Sequence, residues 1–190
     1  IKDYKKKRYS VIVISSAMSG TTNDLIKKSE EICQNFSDME YDVLVSSGEQ
    51  ISCALIAGKL INDGYNARSW LGWQIPIITQ GLNKNSRIQQ INRNKINKYL
   101  RKGGIPIITG FQGINNDKRV TTIGRGGSDA SAIMIAKFFQ AQRCIIYTDV
   151  EGVYTTDPNK LNKAKKIKVI SYEEMLEMAS LAVSYTHLTL

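Results

Sequence analysis

Histidine is nearly absent from this 190-residue chain, with His187 its only example. A structural zinc site of cysteine and histidine, or a serine–histidine–aspartate hydrolase, therefore lacks its parts, and no other cluster of metal ligands is visible. Cysteine is scarce too. Cys33, Cys53 and Cys144 are odd in number, far apart and set among apolar neighbours, which predicts buried thiols in a reducing cytosol rather than metal ligands. Also missing is any apolar run near the roughly 20 residues that a membrane span requires, and Ile1 to Ser10 is charged rather than built like a signal peptide. The expectation is a cytoplasmic protein with no membrane partner. Acidic residues are outnumbered, 17 Asp and Glu against 26 Lys and Arg, giving a formal charge of +9. Such an excess invites a nucleic-acid reading. The lysines, however, gather in two tracts, Lys5 to Arg8 and Lys160 to Lys168, without interleaved aromatics or a nucleic-acid motif between them. That is the pattern of a solvated basic face, and no nucleic-acid partner is expected.

What is present is enough apolar residue, 42%, to enclose one sizeable core, so a single domain is the default. Val11 to Ile14 is a short β-branched run of the kind buried on both faces in a parallel sheet. Leu25, Ile26, Ser29, Ile32, Cys33 and Phe36 recur at helical spacing and predict a helix with one stripe on the sheet. Val43 to Val45 predicts a second strand. Ile51, Ala54, Leu55, Gly58 and Ile61 predict the buried stripe of a second helix ending near Gly64. Ile88, Ile91, Ile96, Tyr99 and Leu100 are placed on a helix stopped by Gly103-Gly104, and Ile105 to Thr109 reads as a strand despite Pro106. A helix from about Asp129 to Gln140 leads into a strand at Cys144 to Tyr147. Strand and helix alternating in this way predict an α/β fold: a three-layer α/β/α sandwich with a mainly parallel sheet.

In open sheets of this kind ligands bind beyond the carboxyl ends of the strands, so the strand-to-helix turns carry the chemistry. The first turn, Ser15 to Asn23, is small and hydroxylated, and places backbone amides and hydroxyls at a helix N-terminus. The second, Ser46-Ser47-Gly48-Glu49, puts a carboxylate just inside the next helix. Both also fit plain capping, since serine and threonine cap helices and an acid in the first turn suits the dipole. A stronger signal is Gly124-Arg125-Gly126-Gly127-Ser128-Asp129. Its three glycines allow close backbone approach to a charged ligand, yet it matches neither the phosphate-loop nor the dinucleotide pattern. Arg125 can fork onto a carboxylate or phosphate, and Asp129 can orient a cation around one. In the turn from Tyr147 to Pro158, Tyr154 is placed to stack on a base or to pack in the core, with Thr148 and Asp149 beside it.

These turns, in this order, resemble the aspartate kinases of the amino-acid kinase family. The match runs through Val13 to Asn23, Ser47-Gly48-Glu49-Gln50, Leu71-Gly72-Trp73-Gln74 and Gly110-Phe111-Gln112-Gly113. It continues through Gly124 to Asp129 and Thr148 to Pro158, and together these cover about Val11 to Leu181. Related kinases of glutamate, acetylglutamate, carbamate or UMP share the fold, but the Arg-Gly-Gly-Ser-Asp segment and the Ser-Gly-Glu turn favour aspartate.

The resemblance implies ATP-dependent phosphorylation of the L-aspartate side chain, with magnesium on the nucleotide. Glu49 would grip the substrate ammonium, Arg125 its α-carboxylate, and Thr22 and Ser128 would line the same pocket. Asp129, with Arg125, would serve the transferring phosphoryl, while Thr148, Asp149 and Tyr154 would hold the nucleotide. It implies a homodimer in the full-length protein. Two departures accompany it. Family members begin with a strand and a Lys-Phe-Gly-Gly-Thr-Ser turn not found here, and Asn159 stands where many carry arginine. The expectation is a catalytic domain over residues 1–181, incomplete at both ends and weak or inactive alone, an unrelated tail at 182–190, and no regulatory domain. A non-catalytic nucleotide- or amino-acid-binding remnant of the same fold is the alternative.

Overall fold

The computed structural model describes residues 1–124, 126–147, 155–156, 163–167, 170–171 and 174. Along the chain run α1 (Lys2–Lys6), β1 (Val13–Ser15), α2 (Thr21–Ile32), α3 (Asp38–Val45), α4 (Ser47–Asn62) and β2 (Ala67–Trp70). There follow β3 (Ile77–Gln80), β4 (Arg87–Ile91), α5 (Asn94–Arg101), β5 (Ile105–Thr109), β6 (Gln112–Ile114), β7 (Val120–Thr122) and α6 (Gly127–Phe138). The architecture is α/β, as expected. The most apolar strand, β5, is buried at every position and lies at the centre of a parallel sheet of order β1–β5–β2. Pro106 is tolerated in this central strand as its second residue, close to where the ladder begins.

A second sheet, of order β4–β3–β6–β7, joins two antiparallel hairpins through a parallel β3–β6 contact. Here the expectation from periodicity fails for Ile88 and Ile91, which lie on β4 and not on the helix. Ile78 pairs with Gln90 and Thr79 with Ile88, so Gln89 is an extra residue. This bulge turns two isoleucines three apart onto one buried face and thereby imitates helical spacing. Ile96, Tyr99 and Leu100 do pack from α5 onto the core that includes Trp70, Ile75, Ile77, Ile108 and Ile135.

Val43 to Val45, read as a strand, forms the end of helix α3. Ser37 precedes this helix, and Asp38 and Glu40 fill its first turn, start signals that outweigh a three-residue β-branched run. Helix α4 is where expected but turned about its axis. Ile51, Leu55 and Ile61 are 48%, 58% and 57% exposed, whereas Ser52, Cys53, Ala57 and Leu60 are buried. The helix is apolar on both sides, so periodicity does not choose a face. The small residues at 52, 53 and 57 do, because they let α4 lie close against Ala67, Ile105 and Ile107. Of the cysteines, Cys53 is buried and Cys144 half-buried, but Cys33 is exposed, because the last turn of α2, with Ile32, runs out into solvent. Cys144 to Tyr147, expected as a strand, forms no ladder among the described residues, and Ile145 and Tyr147 are exposed. No helix among the described residues is long and apolar enough to cross a membrane.

Candidate active site

β1 and β5 end together: Ser15 pairs in register with Thr109, and the Gly110 N–H donates to the Ser15 carbonyl at 3.0 Å. The chain leaves both strands at the carboxyl edge of the parallel sheet, the place where α/β folds bind ligands. Two helix N-termini are packed onto this edge, and glycines make both approaches possible.

The first is α4. At Gly48 a Cβ would stand 2.9 Å from Ala17 Cβ and 3.3 Å from Thr21 Cγ2, so only glycine lets the helix press onto the turn between β1 and α2. That contact brings Glu49 beside Ala17, whose backbone N–H donates to Glu49 Oε1 at 3.1 Å. The other oxygen, Oε2, is buried without a hydrogen-bond partner among the described residues, and the side chain is only 2% exposed. Burial pushes this carboxyl up to about 7, against the pull of the backbone N–H groups of Glu49 and Ala17. A buried carboxylate with one idle oxygen is an acceptor waiting for a cation. One turn on, Ser52 Oγ donates to the Ser16 carbonyl at 2.6 Å and lies 2.9 Å from Ser15 Oγ, which locks α4 to the end of β1. Cys53 beside it is pushed up to about 12, mainly by burial and further by the Glu49 charge, and is an inert thiol.

The second is α6. At Gly110 a Cβ would lie 3.0 Å from Ser128, which is therefore seated directly over the end of β5. Phe111 holds the arrangement with a left-handed backbone, φ 62°, unusual for an aromatic residue. Its N–H donates to Ser131 Oγ at 3.0 Å, Ser131 Oγ donates to the Gly127 carbonyl at 2.6 Å, and its ring covers Gly127. Ser128 and Asp129 occupy the first turn of α6, both half-buried, and burial raises the Asp129 carboxyl.

The fold thus gathers the Ser15–Thr22 turn, Glu49, Ser128 and Asp129 at one edge. Thr22, the second residue of α2, is half-buried there. Arg125, Thr148, Asp149 and Tyr154 lie outside the described residues. The Ser46 to Glu49 turn joins helix to helix, not strand to helix. Sequence reasoning passed over Ser52 and the buried Asp42, and quoted Phe111 only as part of the Gly110–Gly113 match, with no role. Ser52 had a usable signal, its position one helical turn after Glu49. Among the described residues no group of three or more His, Cys, Asp or Glu residues could hold a metal ion.

The sequence profile of the amino acid kinase family matches residues 1–188. The chain belongs to the amino acid kinase family. Within that family its similarity is to aspartokinases: 45% identity over 182 residues to that of Geobacillus stearothermophilus and 46% over 190 to that of Rickettsia conorii. These alignments cover 96% and 98% of the chain but 45% and 47% of the relatives, so the chain spans about half their length. Among solved structures, this amino acid kinase domain superposes on E. coli aspartokinase III in complex with aspartate and ADP at a TM-score of 0.73 and 27% identity. That superposition covers 90% of the chain and 49% of the aspartokinase. Aspartate kinase from Synechocystis gives 0.72 at 37% identity, covering 97% and 30%. Isopentenyl phosphate kinase, at 18% identity and a TM-score of 0.56, shares the fold alone.

Proposed function

We propose that this domain transfers the γ-phosphoryl group of ATP to the side-chain carboxylate of L-aspartate, giving aspartyl phosphate and ADP. The reaction would open the synthesis of lysine, threonine and methionine in the cytoplasm. The observation that carries the reading is Glu49, buried at the carboxyl edge of the sheet with one oxygen idle. An ammonium group would complete that acceptor, and aspartokinase similarity over nearly the whole chain supports aspartate as the amino acid that carries it. Arg125 is assigned to the α-carboxylate, which its guanidinium would take bidentately, and Thr22 and Ser128 to the lining of the same pocket. The zwitterion is then held by its backbone charges, and its side-chain carboxylate is left to react. That nucleophile is ionised at neutral pH, so no general base is required. One carboxylate oxygen forms a bond to the γ-phosphorus as the bond to the β-phosphate oxygen breaks, and ADP leaves with the electron pair. Catalysis is then in-line positioning and charge neutralisation, with Arg125 and Asp129 ordering the surroundings of the phosphoryl group. Thr148, Asp149 and Tyr154 are assigned to the nucleotide, which would bring its own magnesium. A homodimer is proposed for the complete protein, and the catalytic domain is assigned to residues 1–181.

Calorimetric titration of the chain with L-aspartate, L-glutamate and magnesium-ATP tests the reading, beside Glu49→Ala and Arg125→Ala. Aspartate is expected to bind, glutamate not, and either substitution to abolish aspartate binding while ATP binding persists. A folded chain that binds neither ligand overturns the reading in favour of a non-catalytic remnant.

A further inference from the structure

Asp42 holds a carboxylate where water does not reach. The residue is fully buried, and three groups from distant parts of the chain donate to it. Thr122 Oγ1, at the end of β7, donates to Oδ1 at 2.6 Å, and Asn83 Nδ2 donates to Oδ2 at 2.6 Å. The Lys84 N–H lies 3.0 and 3.2 Å from the two oxygens. These donors replace the water that a buried carboxylate gives up. Two further acids of α3 reach the same hairpins: Asp38 pairs with Lys84 Nζ and Glu40 with Arg119, both at 2.5 Å. Those pairs are exposed and hold little. Asp42 is the buried fastening between α3 and the two hairpins.

Its consequences run both ways along the chain. Four residues beyond Asp42, the Ser46 carbonyl accepts from Gln112 Nε2 at 2.9 Å, and α4 then begins and carries Glu49 in its first turn. In the other direction Thr122 stands two residues before Gly124, and Gly124 rests on the very turn that Asp42 grips. A Cβ on Gly124 would come within 2.9 Å of Asn85 Oδ1. Arg125 follows Gly124 in sequence.

We propose that Asp42 is a positioning residue for the amino-acid substrate. By joining α3 to Thr122 and to the Asn83–Lys84 turn, it fixes where α4 and Glu49 stand relative to Gly124. Glu49 is assigned to the substrate's ammonium, and Arg125, the residue after Gly124 in sequence, to its α-carboxylate, so the inference rests on the aspartate reading. The nucleotide residues come from another segment, so substrate and nucleotide affinity should part company.

The test uses the complete gene product that carries these residues. Asp42→Asn keeps the volume but leaves one acceptor oxygen for donors on both sides. The KM for L-aspartate is expected to rise about ten- to a hundred-fold, as for a small misplacement of the groups that hold a substrate, with the KM for ATP within about two-fold. Thr122→Val should act in the same direction, Thr122→Ser should restore the parental KM, and Asp42→Asn with Thr122→Val should cost less than the sum. Thr79→Val is the structural control, because it breaks the buried Thr79–Thr121 hydroxyl pair, 2.5 Å apart, on the same hairpins. It should lower Tm and leave the KM for aspartate alone. If Asp42→Asn does not fold, the Thr122 pair decides. Equal rises in both KM values, or a fall in Tm with no change for aspartate, overturn the positioning role while leaving the kinase reading intact. A parent enzyme that does not phosphorylate aspartate overturns both.

Discussion

Replacing Glu49 by glutamine should make the protein more stable at alkaline pH while abolishing substrate binding. An unfolded glutamate ionises near its ordinary value of 4.5, whereas burial holds the folded Glu49 carboxyl at about 7. Between these values the native state keeps a proton that the unfolded chain has lost. Stability is therefore fully present below about pH 4.5, falls as pH rises through the interval, and above about pH 7 is lower by roughly 3 kcal/mol. Glutamine has no proton to release, and its amide oxygen can still accept from the Ala17 N–H. Its NH2 group inherits the place of the unpartnered Oε2, a burial that takes back about 1 kcal/mol. The net gain at pH 8 is about 2 kcal/mol, or roughly 4–8 °C in Tm for a domain of this size. At pH 5 the two effects nearly cancel. Thermal unfolding of parent and Glu49→Gln at both pH values is the assay, repeated with saturating L-aspartate. The ligand should raise only the parent's Tm, by the equivalent of about 2.7 kcal/mol at a hundred times Kd. A Tm difference that is the same at both pH values, or a variant less stable at pH 8, would refute the argument from burial.

The orientation of α4 gives a paired test: Leu60→Ala should cost about 2–5 kcal/mol in urea unfolding, while Leu55→Ala, 58% exposed, should stay within about 0.5 kcal/mol. A larger cost at Leu55 than at Leu60 would mean that the helix is turned the other way. Gly113→Ala should destabilise by about 1–3 kcal/mol or more, because its Cβ would stand 2.5 Å from the Ile77 carbonyl and from Thr79 Cγ2 in the middle of the second sheet. A parental denaturation midpoint would show that β6 and β3 do not lie as close as described.

The elements legible in the sequence are those whose burial repeats with a single period. Ile105 to Thr109 is buried at every residue and is read as a strand, and Ile96, Tyr99 and Leu100 keep helical spacing on α5. Where two influences act on one segment the period misleads. The bulge at Gln89 gives β4 a spacing of three, and the β-branched end of α3 resembles a strand although the start signals of a helix precede it. The hairpins β3–β4 and β6–β7 were invisible for a further reason. Strands of three to five residues carry too few alternations to distinguish them from loops.

The candidate site is proposed from chemistry, and its positioning is read only from the fold. Glu49, Ser128 and Asp129 are named by the residue types that an amino acid and a phosphoryl group demand, together with glycines that permit close approach. What aims them is read only from the fold. Ser52 is an ordinary helical serine until it is seen to close onto Ser16, and Asp42 reads as one more acid of α3 beside Asp38 and Glu40. The hydrogen bonds of these residues go to other protein groups, so ligand chemistry does not predict them. They are fixed instead by the demand that buried polar groups find partners, and that demand involves residues as distant in sequence as Asp42 and Thr122. Substitution there should therefore alter affinity through geometry, with every contact group still in place.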